Sequence, residues 1–312
     1  MSLPAVGLGM ASLGRPAYIN LGHDLDYASG RSVDAMRARA LEVLDAAWSL
    51  GVRHVDCARS YGRAEEFVGA WLAARPGRRT EVTLGSKWGY TYVADWQVEV
   101  ETHEVKEHSV ETLARQWPET LAALGSAPDV YVVHSVTPES PALNDRALLD
   151  ALGDIASGGV RVGLSTSGPA QAEVLTTALR LGESSPFSAV QATWNLLEPS
   201  CGPALRSAYD AGWHVALKET VANGRLTARG SPPPAVVAVA REHGVTPDAV
   251  GMAAALRQPA TVVLSGASTM DQLASNLTAY DVLLDDAELD TLAAVAESAD
   301  AYWQTRGALP WT

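Results

Sequence analysis

Residues 52–72, VRHVDCARSYGRAEEFVGAWL, change character halfway. The first five form a short β-branched run that reads as a strand. From about residue 63 the chain turns rich in Ala, Glu, Val and Leu over a helical length. Asp56 stands at the junction and Tyr61 follows five residues later. An Asp in that place has two readings. It caps the coming helix, or it is a buried charge that requires a partner.

The same unit recurs along the chain. Short apolar runs stand at 5–9 (AVGLG), 52–56 (VRHVD), 81–86 (EVTLGS), 129–134 (DVYVVH), 160–165 (VRVGLS), 187–192 (FSAVQA), 213–217 (WHVAL) and 261–266 (TVVLSG). Helical stretches separate them, at about 33–50, 63–74, 108–124, 145–157, 169–181, 201–211, 234–243, 247–257, 270–279 and 286–297. In the first, Val33, Met36, Ala40, Val43, Leu44, Ala47 and Leu50 recur at three-to-four spacing. Strands alternating with helices predict parallel pairing through right-handed crossovers. Eight units in 312 residues predict an α/β fold with one closed (β/α)8 barrel domain over 1–312. A doubly wound open sheet is the competing architecture, but GLGMASLG after the first run is a poor phosphate loop. Two segments exceed ordinary connections: 10–32, and the tail 298–312 with Trp303 and Trp311. Segments of that length are functional or disordered, and these are rich in aromatics, which favours function. RGSPPPAV, 229–236, reads as a rigid turn before a helix.

Composition excludes several classes. The formal net charge of −13 makes nucleic acid and anionic membrane poor partners. No apolar run approaches the ~20 residues of a membrane helix, and the start of the chain has no signal-peptide pattern. Cys57 and Cys201 alone, far apart, predict reduced thiols and a cytoplasmic location. His134 has no partner His or Cys at ligand spacing, so no metal site is expected.

In an eight-stranded α/β barrel, chemistry sits at the C-terminal strand ends. Asp56, Lys87 and His134 stand at three such ends, with Tyr61 in the loop after Asp56. A phenol, with an ordinary pKa of ~10, is a poor proton donor near neutrality unless a cation such as Lys87 lowers that value. Asp56 would hold the ammonium in place, and a neutral His134 would orient a substrate oxygen. An acid aimed at a carbonyl needs an electron source, and a hydride cofactor is the natural one.

VDCARSYGRAEEFVGAWL, LGSKWG and VYVVHS resemble the aldo-keto reductases, whose motifs run Asp-x4-Tyr-Gly-x2-Glu, Lys and His on successive barrel strands. VGLGMASLG, VRVGLSTSG, VQATWNLLEP and LSGASTMDQLASNL extend the likeness over most of the chain. The resemblance implies hydride-transfer reduction of a small aldehyde or ketone, or oxidation of the matching alcohol or aldose. It makes Tyr61 the proton donor, Asp56 and Lys87 its tuning pair, and His134 the orienting residue. It also implies a cofactor groove. Met10 and Asp56 count among its residues, with Ser165 and Gln191 at the carboxamide, and Val221, Asn223 and Gly224 along the pyrophosphate. Gly266, Ser268, Gln272 and Asn276 fall at the adenosine end, in the spacing of the branch that uses Gln in place of Arg. On that pattern NADP(H) is favoured, with NAD(H) possible. Ser165 also reads as a helix cap.

The chain departs from the family at Lys218, where relatives place an aromatic ring over the nicotinamide. Lys218 reads as a charge near the cofactor, as the partner of Glu219, or as a reactive amine. Trp88, Tyr90, Tyr92, Trp303 and Trp311, with Tyr18 and Tyr27, predict an aromatic-walled substrate pocket, whereas Trp48 and Trp71 read as helix packing. Two other functions stay open: a nucleotide-binding regulatory module with little turnover, and a lyase built on Lys218. The oligomeric state is not legible.

Overall fold

A computed structural model describes residues 3–27 and 30–312. It contains ten strands: β1 (Ala5–Gly9), β2 (His54–Asp56), β3 (Thr83–Trp88), β4 (Tyr90–Tyr92), β5 (Glu104–Lys106), β6 (Val130–Val136), β7 (Arg161–Thr166), β8 (Phe187–Thr193), β9 (His214–Lys218) and β10 (Val262–Ser265). Eight of them close a barrel in the order β1-β10-β9-β8-β7-β6-β3-β2, with every pair parallel. All eight runs read from the sequence supply these strands, so the closed (β/α)8 barrel stands and the open sheet is excluded. β4 and β5 form a separate antiparallel hairpin, which the sequence reading missed.

The boundaries shift in an informative way. Lys87 was expected just after its strand and His134 at the end of its own, yet both lie within β3 and β6. Strand pairing fixes the Lys87 backbone opposite Val132 in the β3–β6 register, whereas His134 lies where the β6–β7 register shifts between Val133 and Val136. The helices follow the apolar periodicity closely: Val33–Ser49, Ala64–Ala73, Val110–Leu124 and Arg146–Ser157 among them. Side chains of Ser32, Ser109 and Asp145 accept hydrogen bonds from first-turn amides, which explains where three of these helices begin. The Pro-rich turn ends where the helix Pro234–His243 starts. The tail contains a helix, Ala299–Gly307, that no periodicity announced.

The core lies mainly between barrel and helices, with Met36, Val43, Leu44, Val68 and Trp71 of two neighbouring helices packed on Leu8, Val55 and Leu84. Trp48 packs partly buried beside this cluster and edge-on to Trp71. Both tryptophans therefore belong to helix packing.

Candidate active site

The motif Asp56–Gly62 leaves β2 and folds at once against the turn after β1. Gly62 has φ 58°, and a Cβ there would lie 2.4 Å from the Gly14 carbonyl oxygen. A Cβ on Gly14 would in turn lie 2.3 Å from the Tyr61 carbonyl oxygen. Two glycines facing each other therefore permit the close backbone approach that presents Tyr61, and Arg63 N–H donates to Gly14 O at 2.8 Å.

Tyr61 stands on the wall of a 270 Å³ cavity at the C-terminal mouth of the barrel, with Asp56, His134, Gln191 and Lys218. Lys87 is fully buried and forms an ion pair with Asp56. It also donates to Cys57 O at 2.8 Å, and its ammonium lies 4.8 Å from the centre of the Tyr61 ring. Gln191 donates to the other Asp56 oxygen at 2.9 Å. Of the two readings of Asp56, the structure takes the buried charge with a partner. His134 meets Tyr61 edge-to-face, centroids 5.6 Å apart, and its Nδ1 lies 3.4 Å from Ser60 Oγ.

Electrostatics differ from expectation at one point. Burial, aided by the Asp56 charge, pushes the Tyr61 phenol well above its usual value. Arg15 acts in the opposite direction without overcoming this, so the phenol stays protonated at neutral pH. Burial, reinforced by the nearby Lys87 and Arg15 charges, holds the His134 imidazole well below its usual value and therefore neutral.

The mouth carries charges that the sequence reading passed over. Arg15 is buried, pairs with Glu104 at 2.8 Å, and lies over the rings of Tyr18, Tyr61 and Trp311 at 5.1, 5.2 and 4.8 Å. Arg306 of the tail helix grips Glu219 through three contacts of 2.7–3.2 Å. Their only signal was position, in the long loop after β1 and in the aromatic tail. Glu104 had none, because the hairpin that carries it was not anticipated.

Lys218 bonds Thr193 Oγ1 at 2.7 Å and lies 3.7 Å from Glu219. Pairing with Glu219 is therefore present, while the ammonium still lines the cavity. Burial lowers its pKa.

Not every expected aromatic reaches the cavity. Trp88 is fully buried in the cluster with Leu113 and Tyr131, because it lies inside β3 and points to the helix layer. Trp303 packs in the core against Tyr302, under Lys218. Tyr92 sits half-buried on the hairpin, away from the cavity lining. Tyr90, Tyr18 and Trp311 do line it. Trp311 is held by stacking on His103, centroids 4.2 Å apart.

A second cavity, of 260 Å³, continues from the first, and the two share Asn20, Val221 and Gly266. The joined groove runs from Tyr61 past Asn223 and Gly224 to Gln272 and Asn276. A Cβ on Gly266 would meet nothing within 4 Å, and Asn223 Oδ1 is a buried acceptor without a partner. The long first loop crosses this groove, with Leu21 N–H donating to Asn223 O at 3.0 Å and Asn223 Nδ2 to Ile19 O at 2.8 Å. An elongated ligand with polar atoms spread along its length fits these residues. Met10 and Ser165 are fully buried beneath the walls; Ser165 Oγ accepts from Ser135 N at 2.8 Å.

The family model "Aldo/keto reductase family" matches residues 6–297. Among solved structures, the fold is similar to aldo-keto reductase AKR11C1 from Bacillus halodurans in its holo form. That match has a TM-score of 0.69, 19% identity, and coverage of 96% of this chain and 94% of the other. It is also similar to a protein solved as a candidate 2,5-diketo-D-gluconic acid reductase B, with a TM-score of 0.67, 23% identity, and coverage of 95% and 88%. A comparison with curated protein sequences gave no match.

Proposed function

The chain belongs to the aldo/keto reductase family, a family of carbonyl oxidoreductases, and from this premise we propose that it reduces a small aldehyde or ketone, or oxidises the matching alcohol, with a nicotinamide dinucleotide in the joined groove. One observation carries the reading: a buried, protonated phenol between the Lys87–Asp56 pair and a neutral imidazole, on the wall of that groove.

When bound, the nicotinamide supplies the hydride. Val221, Asn223, Gly224 and Gly266 would run along the dinucleotide, and Gln191 and Lys218 line the same cavity as Tyr61. Tyr61 donates its proton to the carbonyl oxygen as charge develops there. Lys87 stabilises the phenolate left behind, because its ammonium faces the ring and is itself held by Asp56 and Cys57 O. His134, neutral, donates a hydrogen bond that orients the substrate oxygen. Tyr18, Tyr90 and Trp311 exclude water and stack on an apolar or ring-bearing part of the substrate. Arg15, Glu104, Glu219 and Arg306 form the polar rim and would meet hydroxyl or carboxyl groups of the substrate. The whole chain acts as a single barrel domain.

On sequence alone, Ser268 and Gln272 favour NADP(H); their engagement by Asp26 bears on that choice. The proposal is tested by following reduced-cofactor absorbance over a panel of aldehydes, ketones and sugars with both cofactors. Oxidation coupled to one substrate class supports it. Cofactor binding without turnover on any carbonyl, in either direction, would replace it with a regulatory role.

A further inference from the structure

Next to Arg229 and Gln272, which line the far end of the groove, the buried Asp26 and Ser268 complete an arrangement that the sequence does not disclose. Asp26, from the long first loop, brings its carboxylate against three donors. Ser268 Oγ donates to Oδ2 at 2.5 Å, Arg229 Nη2 pairs with Oδ1 at 2.5 Å, and Gln272 Nε2 lies 3.0 Å from both oxygens. The Asp26 side chain is 1% exposed. Burial would raise its pKa, but the hydrogen bonds from Arg229, Ser268 and Gln272 prevail and hold it below the usual carboxylate value. The same loop is fastened nearby, with Arg229 Nη1 donating to Gly22 O at 2.6 Å.

These donors are what an anionic substituent at the end of the groove would use. Ser268 and Gln272 are the residues that on sequence favoured a 2′-phosphate, and Arg229 is the one cation among the described residues lining this cavity. The remaining charges there are the carboxylates of Asp248 and Asp271. Asn276 is also engaged, donating to Asp248 at 2.8 Å and accepting from Ser265 at 2.7 Å. A phosphate carrying about −1.5 to −2 charges would have to displace an ionised carboxylate, break its charge-assisted bonds and lift a fastened loop. A ribose with a free 2′-hydroxyl requires none of these steps. General experience with dinucleotide sites points the same way, an acid accompanying NAD and a free Arg accompanying NADP.

We propose that Asp26 is a built-in anion that fills the 2′-phosphate subsite and makes this chain select NAD(H) over NADP(H). This rests on the reading that the groove holds a nicotinamide dinucleotide, and it reverses the cofactor preference drawn from Ser268 and Gln272 alone.

The test is equilibrium binding by calorimetry, with ADP-ribose and 2′-phospho-ADP-ribose as probes, on the wild-type chain, Asp26→Asn and Asp26→Ala. Asp26→Asn keeps the shape and removes the charge, and circular dichroism checks that each variant is folded. Wild type binds ADP-ribose about tenfold or more tighter than the 2′-phosphorylated probe, the equivalent of one charge-assisted hydrogen bond. Both variants gain about tenfold or more for the 2′-phosphorylated probe, by the same equivalence, with little change for ADP-ribose. Equal or tighter binding of the 2′-phosphorylated probe by wild type overturns the inference while the dinucleotide reading stands. So does a folded Asn variant that shifts both probes alike. Wild type that binds neither probe overturns both.

Discussion

Replacing Glu219 with Gln removes the charge that fastens the tail helix to the barrel mouth. The Glu219 side chain is 7% exposed and meets Arg306 at 2.7 Å and Lys218 at 3.7 Å. Burial opposes its ionisation, but Arg306 and then Lys218 prevail and hold its pKa at about 2, down from 4.5. At about 1.4 kcal/mol per pH unit of displacement, that difference corresponds to about 3 kcal/mol of stability. The folded-state value lies below the unfolded one, so this contribution is complete above pH 4.5 and fades as pH falls toward 2. Urea unfolding of wild type, Glu219→Gln, Arg306→Met and the double variant measures it. The account expects Glu219→Gln to cost about 3 kcal/mol at pH 7, of the size expected when a buried pair loses one partner. The gap stays constant from pH 8 to 5 and begins to narrow below 4.5. The double-mutant cycle gives a coupling above about 1 kcal/mol. A cost below about 1 kcal/mol, well under that expected for a buried pair, or a gap that already narrows between pH 8 and 6, would refute the reasoning.

Trp88→Phe lowers stability by about 1–3 kcal/mol through a core cavity and leaves KM for the carbonyl unchanged, whereas Trp311→Ala raises KM with the fold intact. Paired unfolding and steady-state measurements check both. Burial holds His23, His54, His108 and His214 at about 4, and His134 also low, so the unfolded chain binds more protons below pH 6.5. Stability is therefore level above pH 7 and falls as pH drops from 6.5 toward 4, with net proton uptake on unfolding, measurable by urea titrations across that range.

The barrel was legible because each strand is a short apolar run and each helix a periodic one, and these patterns alternate eight times. Asp56, Tyr61, Lys87 and His134 were legible because strand ends converge in such a barrel. What stayed hidden was long-range pairing. Arg15 meets Glu104, Arg306 meets Glu219, and Asp26 meets Ser268 across 242 residues, none with a local spacing to betray it. Trp88 was misplaced because its strand was expected to end at residue 86 and runs on to 88. Beside Lys87 in one strand, it must face the opposite side, so it enters the helix layer while Lys87 faces the barrel interior. The direction of the phenol's pKa shift was misjudged because burial, invisible in the sequence, and the Asp56 charge raise it.

The central claim is that the hydroxyl of Tyr61 delivers the proton. Single-turnover reduction of a carbonyl by Tyr61→Phe, with cofactor affinity measured on the same protein, tests it most directly. The account predicts a loss of about 10²–10⁴-fold in the rate of the chemical step, with the dissociation constant of the dinucleotide unchanged. A phenylalanine variant that turns over near the wild-type rate would contradict it.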